Sequence, residues 1–238
     1  MSSSSAKWVP LESSPEVFNT WARSLGLPES PLSFQDLFSL EPDFLGFIPK
    51  PVKAVLLLFP SSFSKDVREQ EEKDGEGTWE GEGVWWIKQT ISNACGSIGL
   101  LHALLNLPSS GPYALAPNSA LMNFKAASLP LSAIDRAALL EKADFFENAH
   151  TSAAQSGQSA IPDDLDVIHH FIAFIEAENS KGENRVVELD GGRNGPFDRG
   201  ACTDLLQSVA TVVQEKYIAR SGGDINFNMI VLAGESQD

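Results

Sequence analysis

Apolar side chains recur at helical spacing from Pro15 to Leu25, where Val17, Phe18, Trp21 and Leu25 share one face. This predicts a first helix, with Ser14 placed to cap it and Pro15 suited to its first turn. A strand-turn segment around Leu32 to Phe38 and a short helix near Asp43 to Phe47 follow. Val52 to Phe59 is the longest apolar run, interrupted only by Lys53 and bounded by Pro49, Pro51 and Pro60, and reads as a buried strand. Helical spacing returns from Cys95 to Leu105, with Ile98, Leu101 and Leu105 on one stripe, and stops before Pro108. Pro117 to Lys125 and Ser132 to Asn148 predict further helices, the latter opened by Ser132 with Asp135 three residues on.

Downstream, Asp166 to Glu176 and Arg185 to Gly192 are rich in β-branched and aromatic residues and flank a turn-like stretch from Ala177 to Asn184, the pattern of a hairpin. Thr203 to Ala219 reads as a helix and Ile225 to Ala233 as a closing strand. The whole predicts a mixed α/β domain, helices flanking a largely antiparallel sheet. Two stretches carry no apolar period. Lys65 to Gly83 holds eight acidic residues, three basic residues and four glycines, the composition of an exposed loop or a loosely held helix. The segment 148–166, rich in Ser, Ala, Gln and Gly, reads as a flexible linker.

The chain has 238 residues, enough for one domain that buries roughly 70 to 75% of its unfolded surface. Its 17 basic and 32 acidic residues give a net charge of −15, which excludes a nucleic-acid partner and suits a basic one. No stretch has the length and apolarity of a signal peptide or of a membrane span, so a soluble protein with no membrane partner is expected. Two cysteines make no disulfide framework and no metal-ligand cluster, which suits a reducing cytoplasm and implies no metal.

Chemistry concentrates at Cys95. It lies between Ala94 and Gly96 where coil becomes helix, and there unpaired N–H groups and the helix dipole favour a thiolate over a free thiol of pKa roughly 8.5. The small neighbours leave room for a carbonyl, and Gln89 offers an amide N–H to an oxyanion. If the hairpin turn centres on Ser180, His170 lies opposite Asp190, so that a carboxylate orients an imidazole. A one-residue slip would present His169 instead. Cys95, His170 and Asp190 thus compose a candidate thiol-hydrolase triad. His102 lies two turns beyond Cys95, roughly 10 Å along the helix, too far to be the base. Cys202, the other thiol, has no histidine near it in sequence and reads as structural.

Five segments carry a resemblance in order along the chain: Trp8 to Glu12 with Pro15-Glu16-Val17, Pro51 to Pro60, Gln89 to Leu100, His170-Phe171-Ile172 and Glu188 to Gly191. With these the chain resembles the ubiquitin carboxyl-terminal hydrolases, papain-like cysteine proteases of the short single-domain type. The resemblance implies a papain-like core, a knotted backbone and one catalytic domain over 1–238. It implies Cys95 as nucleophile, Gln89 as oxyanion donor, His170 rather than His169 as base and acid, and Asp190 as orienter, with ubiquitin contacts at Leu11, Glu12, Asn93, Gly96 and Gln158. No cofactor is implied, and the protein is expected to act as a monomer on small adducts or short peptides at the C-terminal glycine of ubiquitin. The segment 148–166 would cross over the active site. A loop of about 20 residues, at up to roughly 3.5 Å each, cannot open around a folded leaving group. A related ubiquitin-like modifier as substrate, or a slow-turnover ubiquitin-binding protein, are the alternatives. Departures from the family pattern are a longer polar turn in the hairpin, Gly191-Gly192 in place of one glycine, and Asp198-Arg199 after Phe197.

Overall fold

A computed structural model describes residues 8–61, 64–158 and 168–235. Six strands form one sheet in the order β1-β6-β2-β3-β4-β5, every neighbouring pair antiparallel. They are β1 (Leu32–Asp36), β2 (Val52–Pro60), β3 (His169–Glu178), β4 (Asn184–Leu189), β5 (Phe197–Ala201) and β6 (Asn228–Gly234). The helices are α1 (Pro15–Leu25), α2 (Pro42–Leu45), α3 (Ser64–Lys73), α4 (Cys95–Leu105), α5 (Ala120–Ser128), α6 (Ala133–Leu140), α7 (Asp144–Ser156) and α8 (Leu205–Val212). After α8 the chain continues through a π turn, Val213–Tyr217, and a 3₁₀ turn, Ile218–Arg220.

Strand alternation splits the core into two layers. Ala54 and Leu56 of β2 and Phe171, Ala173 and Ile175 of β3 face α1 and α4 to α7. Val55, Leu57 and Phe59 of β2 and Ile172 and Phe174 of β3 face α8 and Tyr217. The strand expected at Val52 to Phe59 is therefore buried on both faces, which explains its unbroken hydrophobicity.

Helix α4 was expected to bury one stripe, but every residue from Gly96 to Leu105 is buried, because the helix runs between the sheet and the outer helices. Asn106 ends it: its side-chain amide donates to the His102 carbonyl at 2.7 Å and the Trp85 carbonyl at 2.9 Å. Ser14 precedes α1 in extended conformation but makes no side-chain cap. Ser119 does cap α5, which begins at Ala120 and not at Pro117.

The single helix expected from Ser132 to Asn148 is two. Continuing the buried stripe of Ala137 and Leu140 at helical spacing would next turn Asp144 and Glu147 inward. A break at 141–143, with Ala143 extended, re-phases the chain so that Phe146, His150 and Ala153 are buried instead. α7 runs on to Ser156, so the first part of the expected linker is helix. Residues 159–167, the rest of the crossover segment and the start of the expected hairpin strand, lie outside the described residues. Lys65 to Gly83, expected as a loop or loose helix, begins with the helix α3, whose Glu71 is only 6% exposed. Strand β5 was not expected from the sequence. Among the described residues no helix is long and apolar enough to cross a membrane.

Candidate active site

Cys95 opens α4. Asn93 just before it takes a left-handed φ of 62°, and no side chain caps the helix, so its first N–H groups remain available. The Gly96 N–H points to the Cys95 sulfur, as does the N–H of Phe171. The second donor exists because of how the sheet ends. β4 stops pairing with β3 at Leu189 opposite Ala173, which leaves the β4-facing edge of β3 unpaired at Phe171 and His170. Burial raises the cost of a charged sulfur, but the hydrogen bond and charge of His170, with the two backbone N–H groups, outweigh it and lower the Cys95 thiol below its ordinary 9.0.

His170 and Asp190 meet, though not as directly opposed residues. Because Ala173 pairs with Leu189, the hairpin centres on Lys181 and not on Ser180, and the same register continued would set His170 against Gly192. Asp190 is two residues short of that position. It therefore lies diagonally across on the same face, within reach of a long side chain. His170 Nε2 is 2.7 Å from Asp190 Oδ1, and this leaves Nδ1 as the ring atom for the sulfur. His169, one residue back and opposite Pro60, belongs to the other face.

Asp190 is 1% exposed and fully engaged. Its Oδ1 also accepts the Gly192 N–H at 2.7 Å, and its Oδ2 accepts Arg68 Nη1 from α3 at 2.6 Å. The Trp86 indole donates to its carbonyl oxygen at 3.1 Å. Burial alone would raise the carboxyl, but His170 and Arg68 hold it far below the usual carboxylate range. Burial would likewise discharge His170, and the Asp190 carboxylate with Cys95 overrides it, pushing the imidazolium up to about 10. Both shifts run in the direction that favours a thiolate facing an imidazolium.

Behind Asp190 lies a buried ion network. Glu188, 0% exposed, accepts Arg193 Nε at 2.7 Å, Arg199 Nε at 2.6 Å and the Tyr217 hydroxyl at 2.6 Å. Glu71 of α3 accepts Arg193 Nη2 at 2.7 Å and Arg199 Nη1 at 3.0 Å. Asp198-Arg199, a departure from the family pattern, thus supplies one cation of this network.

Gln89 stands beside the turn before Cys95: its backbone N–H donates to the Gly191 carbonyl at 3.0 Å and its side-chain amide to Ile91 at 3.2 Å. Asn93 Nδ2 donates to the Trp8 carbonyl at 2.9 Å, tying the N-terminal segment to the active-site turn. Gly96 is buried, and a Cβ there would lie 3.1 Å from the Leu11 side chain. Leu11, expected at the ubiquitin groove, is itself only 5% exposed and packs inward under α4, where it serves the core beneath Cys95. Glu12 lies against Gly157, where α7 ends, just before the segment expected to cross over. Gln158, the last described residue before that segment, is exposed. Cys202 is 7% exposed, and burial with the Glu176 carboxylate pushes its thiol up to about 11. Among the described residues, no group of three or more His, Cys, Asp or Glu is placed to hold a metal ion. Sequence reasoning missed Arg68 and Glu71. The only available signal was their spacing of three on a helix, hidden by the surrounding charge.

Residues 8–218 match the sequence profile of ubiquitin carboxyl-terminal hydrolase, family 1. The chain is 36% identical over 234 residues to ubiquitin carboxyl-terminal hydrolase 3 of Arabidopsis thaliana, covering 98% of this chain and 96% of that one. It is 34% identical over 226 residues to ubiquitin carboxyl-terminal hydrolase isozyme L1 of Rattus norvegicus, covering 94% and 96%. The fold is similar to the crystal structure of the Trichinella spiralis UCH37 catalytic domain bound to ubiquitin vinyl methyl ester, with a TM-score of 0.73, 21% identity and 97% of each chain covered. With relatives aligned over nearly their whole length and the sheet and helices shared, the chain belongs to the ubiquitin carboxyl-terminal hydrolases of family 1, enzymes of the cysteine-type hydrolase class.

Proposed function

We propose that this protein is a deubiquitinating hydrolase that releases small adducts and short peptides from the C-terminal glycine of ubiquitin through Cys95, His170 and Asp190. The observation that carries this reading is the meeting of an uncapped helix start at Cys95 with the ring of His170, itself bonded to Asp190 at 2.7 Å.

In the forward step the Cys95 thiolate adds to the terminal carbonyl carbon, forming a C–S bond and an oxyanion. The Cys95 backbone N–H and the Gln89 amide are the donors available to it. An amide NH₂ carries two hydrogens, and Gln89 spends one on Ile91. The His170 imidazolium then gives its proton to the leaving nitrogen as the C–N bond breaks. Water attacks the thioester, His170 takes its proton, and a free ubiquitin carboxylate leaves with the thiolate restored. Asp190 holds the ring and stabilises its charge throughout.

Selectivity for a Gly-Gly end follows from the close backbone at Asn93 and Gly96, and the restriction to small leaving groups is what the family resemblance implies. The acidic surface, net charge −15, favours a basic C-terminal tail. A free Cys95 thiolate suits the reducing cytoplasm. The test is turnover of a fluorogenic ubiquitin C-terminal amide, with Cys95→Ala as control. Hydrolysis by the native chain, lost in the variant while ubiquitin still binds, is the expected result. Binding without turnover in the native chain would make it a ubiquitin-binding protein, and turnover only with a ubiquitin-like modifier would reassign the substrate.

A further inference from the structure

Taking Cys95, His170 and Asp190 as the reacting group, we propose that Arg68 is a positioning residue of this site: it locks the Asp190 carboxylate from behind and sets a guanidinium charge against the carboxylate that braces the Cys95–His170 pair. The lock is geometric. Both bonds at Asp190 Oδ1, from His170 Nε2 and the Gly192 N–H at 2.7 Å each, leave the carboxylate to pivot about that one oxygen. Arg68 Nη1, at 2.6 Å from Oδ2, holds the second oxygen and removes the pivot. Arg68 is 20% exposed and Asp190 1%, so the pair is largely shielded from water.

Two further observations bear on it. The helix carrying Arg68 is fixed one turn later by Glu71, bonded to Arg193 and Arg199, and by Glu72, which takes the Asn194 amide at 2.5 Å. Arg193 lies three residues after Asp190, so α3 and the Asp190 turn are clamped as one body. The second glycine after Asp190 makes room for the contact. A Cβ at Gly192 would lie 2.8 Å from Arg68 Nη1 and 3.0 Å from Asp190 Oδ1. Gly192 is exposed and has no left-handed φ, so the close approach of the guanidinium is what asks for glycine there.

The groups facing this pair are Cys95 and the neutral, buried His102 from α4, Arg68 from α3, and Glu188 with its Arg193, Arg199 and Tyr217 partners behind. Lys88 bonds the Gly192 carbonyl, and Lys216 lies beyond Tyr217. Removing one cation from this set makes every neighbouring proton harder to lose. The Cys95 thiol then ionises at higher pH, and the His170 imidazolium holds its proton to higher pH.

The test is the pH dependence of Cys95 alkylation by iodoacetamide, which needs no ubiquitin and so stands whatever the natural substrate proves to be. In Arg68→Ala the alkylation midpoint moves up by about half a unit to one unit relative to the native chain. Arg68→Lys keeps the charge and so the midpoint, but replaces the planar guanidinium donor at Oδ2 with a shorter, freely rotating ammonium. In both variants kcat for a fluorogenic ubiquitin amide falls about 10-fold or more while KM changes less than about twofold, the pattern of an interaction used in the transition state. Gly192→Ala, which displaces the guanidinium, lowers kcat in the native background and adds little in Arg68→Ala. An unmoved midpoint in a folded Arg68→Ala, or an equal shift in Arg68→Lys, overturns the proposal. If alkylation shifts as expected but no ubiquitin substrate turns over, the positioning role stands and the substrate assignment fails.

Discussion

Ser97 Oγ and His150 Nδ1 stand 2.9 Å apart in the core, joining the helix α4 to α7 two residues beyond Cys95. The other nitrogen, Nε2, lies 2.7 Å from the Val9 carbonyl, which can only accept, so Nε2 carries the proton and Nδ1 accepts from the serine hydroxyl. Burial lowers the ring from 6.5 to about 4, so at neutral pH it is uncharged and this tautomer holds. His102, stacked on Trp86 and bonded to the Ile87 backbone, is lowered by burial to about 4 as well.

Both histidines make the fold sensitive to mild acid. Unfolding releases them to ordinary values near 6.5, so the unfolded chain binds more protons between there and about 4. Stability is complete above that window and falls as pH is lowered through it, by about 2 kcal/mol per histidine between pH 7 and pH 5. Asp190 weakens the fold only below its unfolded value of 3.8, whereas the contribution of His170 is lost as pH rises from 6.5 through about 10, so between pH 5 and pH 7 it offsets about 1 kcal/mol of the histidine effect. Urea unfolding at pH 7 and pH 5 measures the loss, and equal free energies at the two values contradict it.

The two thiols should differ sharply. Cys95 is half-buried with its thiol lowered by His170, whereas Cys202 is buried and pushed up to about 11. A short pulse of iodoacetamide at pH 7 followed by peptide mapping should find the label on Cys95 alone, because only about one Cys202 in 10⁴ is a thiolate at that pH. Equal labelling of both in the folded chain counts against the thiolate assignment.

Glu188 gathers three donors in a dry site, and the network costs most when one member is removed. Glu188→Gln leaves Arg193 and Arg199 buried beside a neutral amide and should lower stability by about 3 to 5 kcal/mol. Tyr217→Phe removes one bond to a charged acceptor, worth about 1 to 3 kcal/mol. The two are measured by chemical unfolding at pH 7. Each should also loosen α3, so hydrogen exchange at Arg68 and Glu71 should quicken in both variants.

Much of this arrangement is written in local pattern. The buried strand Val52 to Phe59, the helix from Cys95 and the shared face of His170 and Asp190 all follow from period and parity. The exact register did not, because the turn residues Asn179 to Gly182 set a centre one position further on, and a centre shift of one moves the opposed residue by two while leaving the face unchanged. The break between α6 and α7 was visible as a change of phase in the buried stripe, but Ser132 to Asn148 contains neither Gly nor Pro to announce it. α3 stayed hidden because composition counts charges without pairing them. Arg68, Glu71 and Glu72 read as a solvated run until Asp190, Arg193, Arg199 and Asn194, more than 100 residues away, supply their partners.

Gly191 separates the role of Gln89 from that of the thiolate. A Cβ at Gly191 would stand 2.7 Å from Gln89 Cβ, 3.1 Å from Ile98 Cγ2 and 3.2 Å from the Gln89 backbone nitrogen. These are not the ends of flexible side chains, so Gly191→Ala must push Gln89 off its bond to the Gly191 carbonyl. Cys95 keeps its partners, the His170 ring and the N–H groups of Gly96 and Phe171, none of which touches that Cβ. Alkylation of Cys95 should therefore proceed at the native rate, while kcat on a ubiquitin amide falls by about 10² as an oxyanion donor is displaced. Gln89→Ala should fall by a similar factor, and the double variant little further, because both remove the same interaction. A folded Gly191→Ala that turns over normally would take Gln89 out of the oxyanion site.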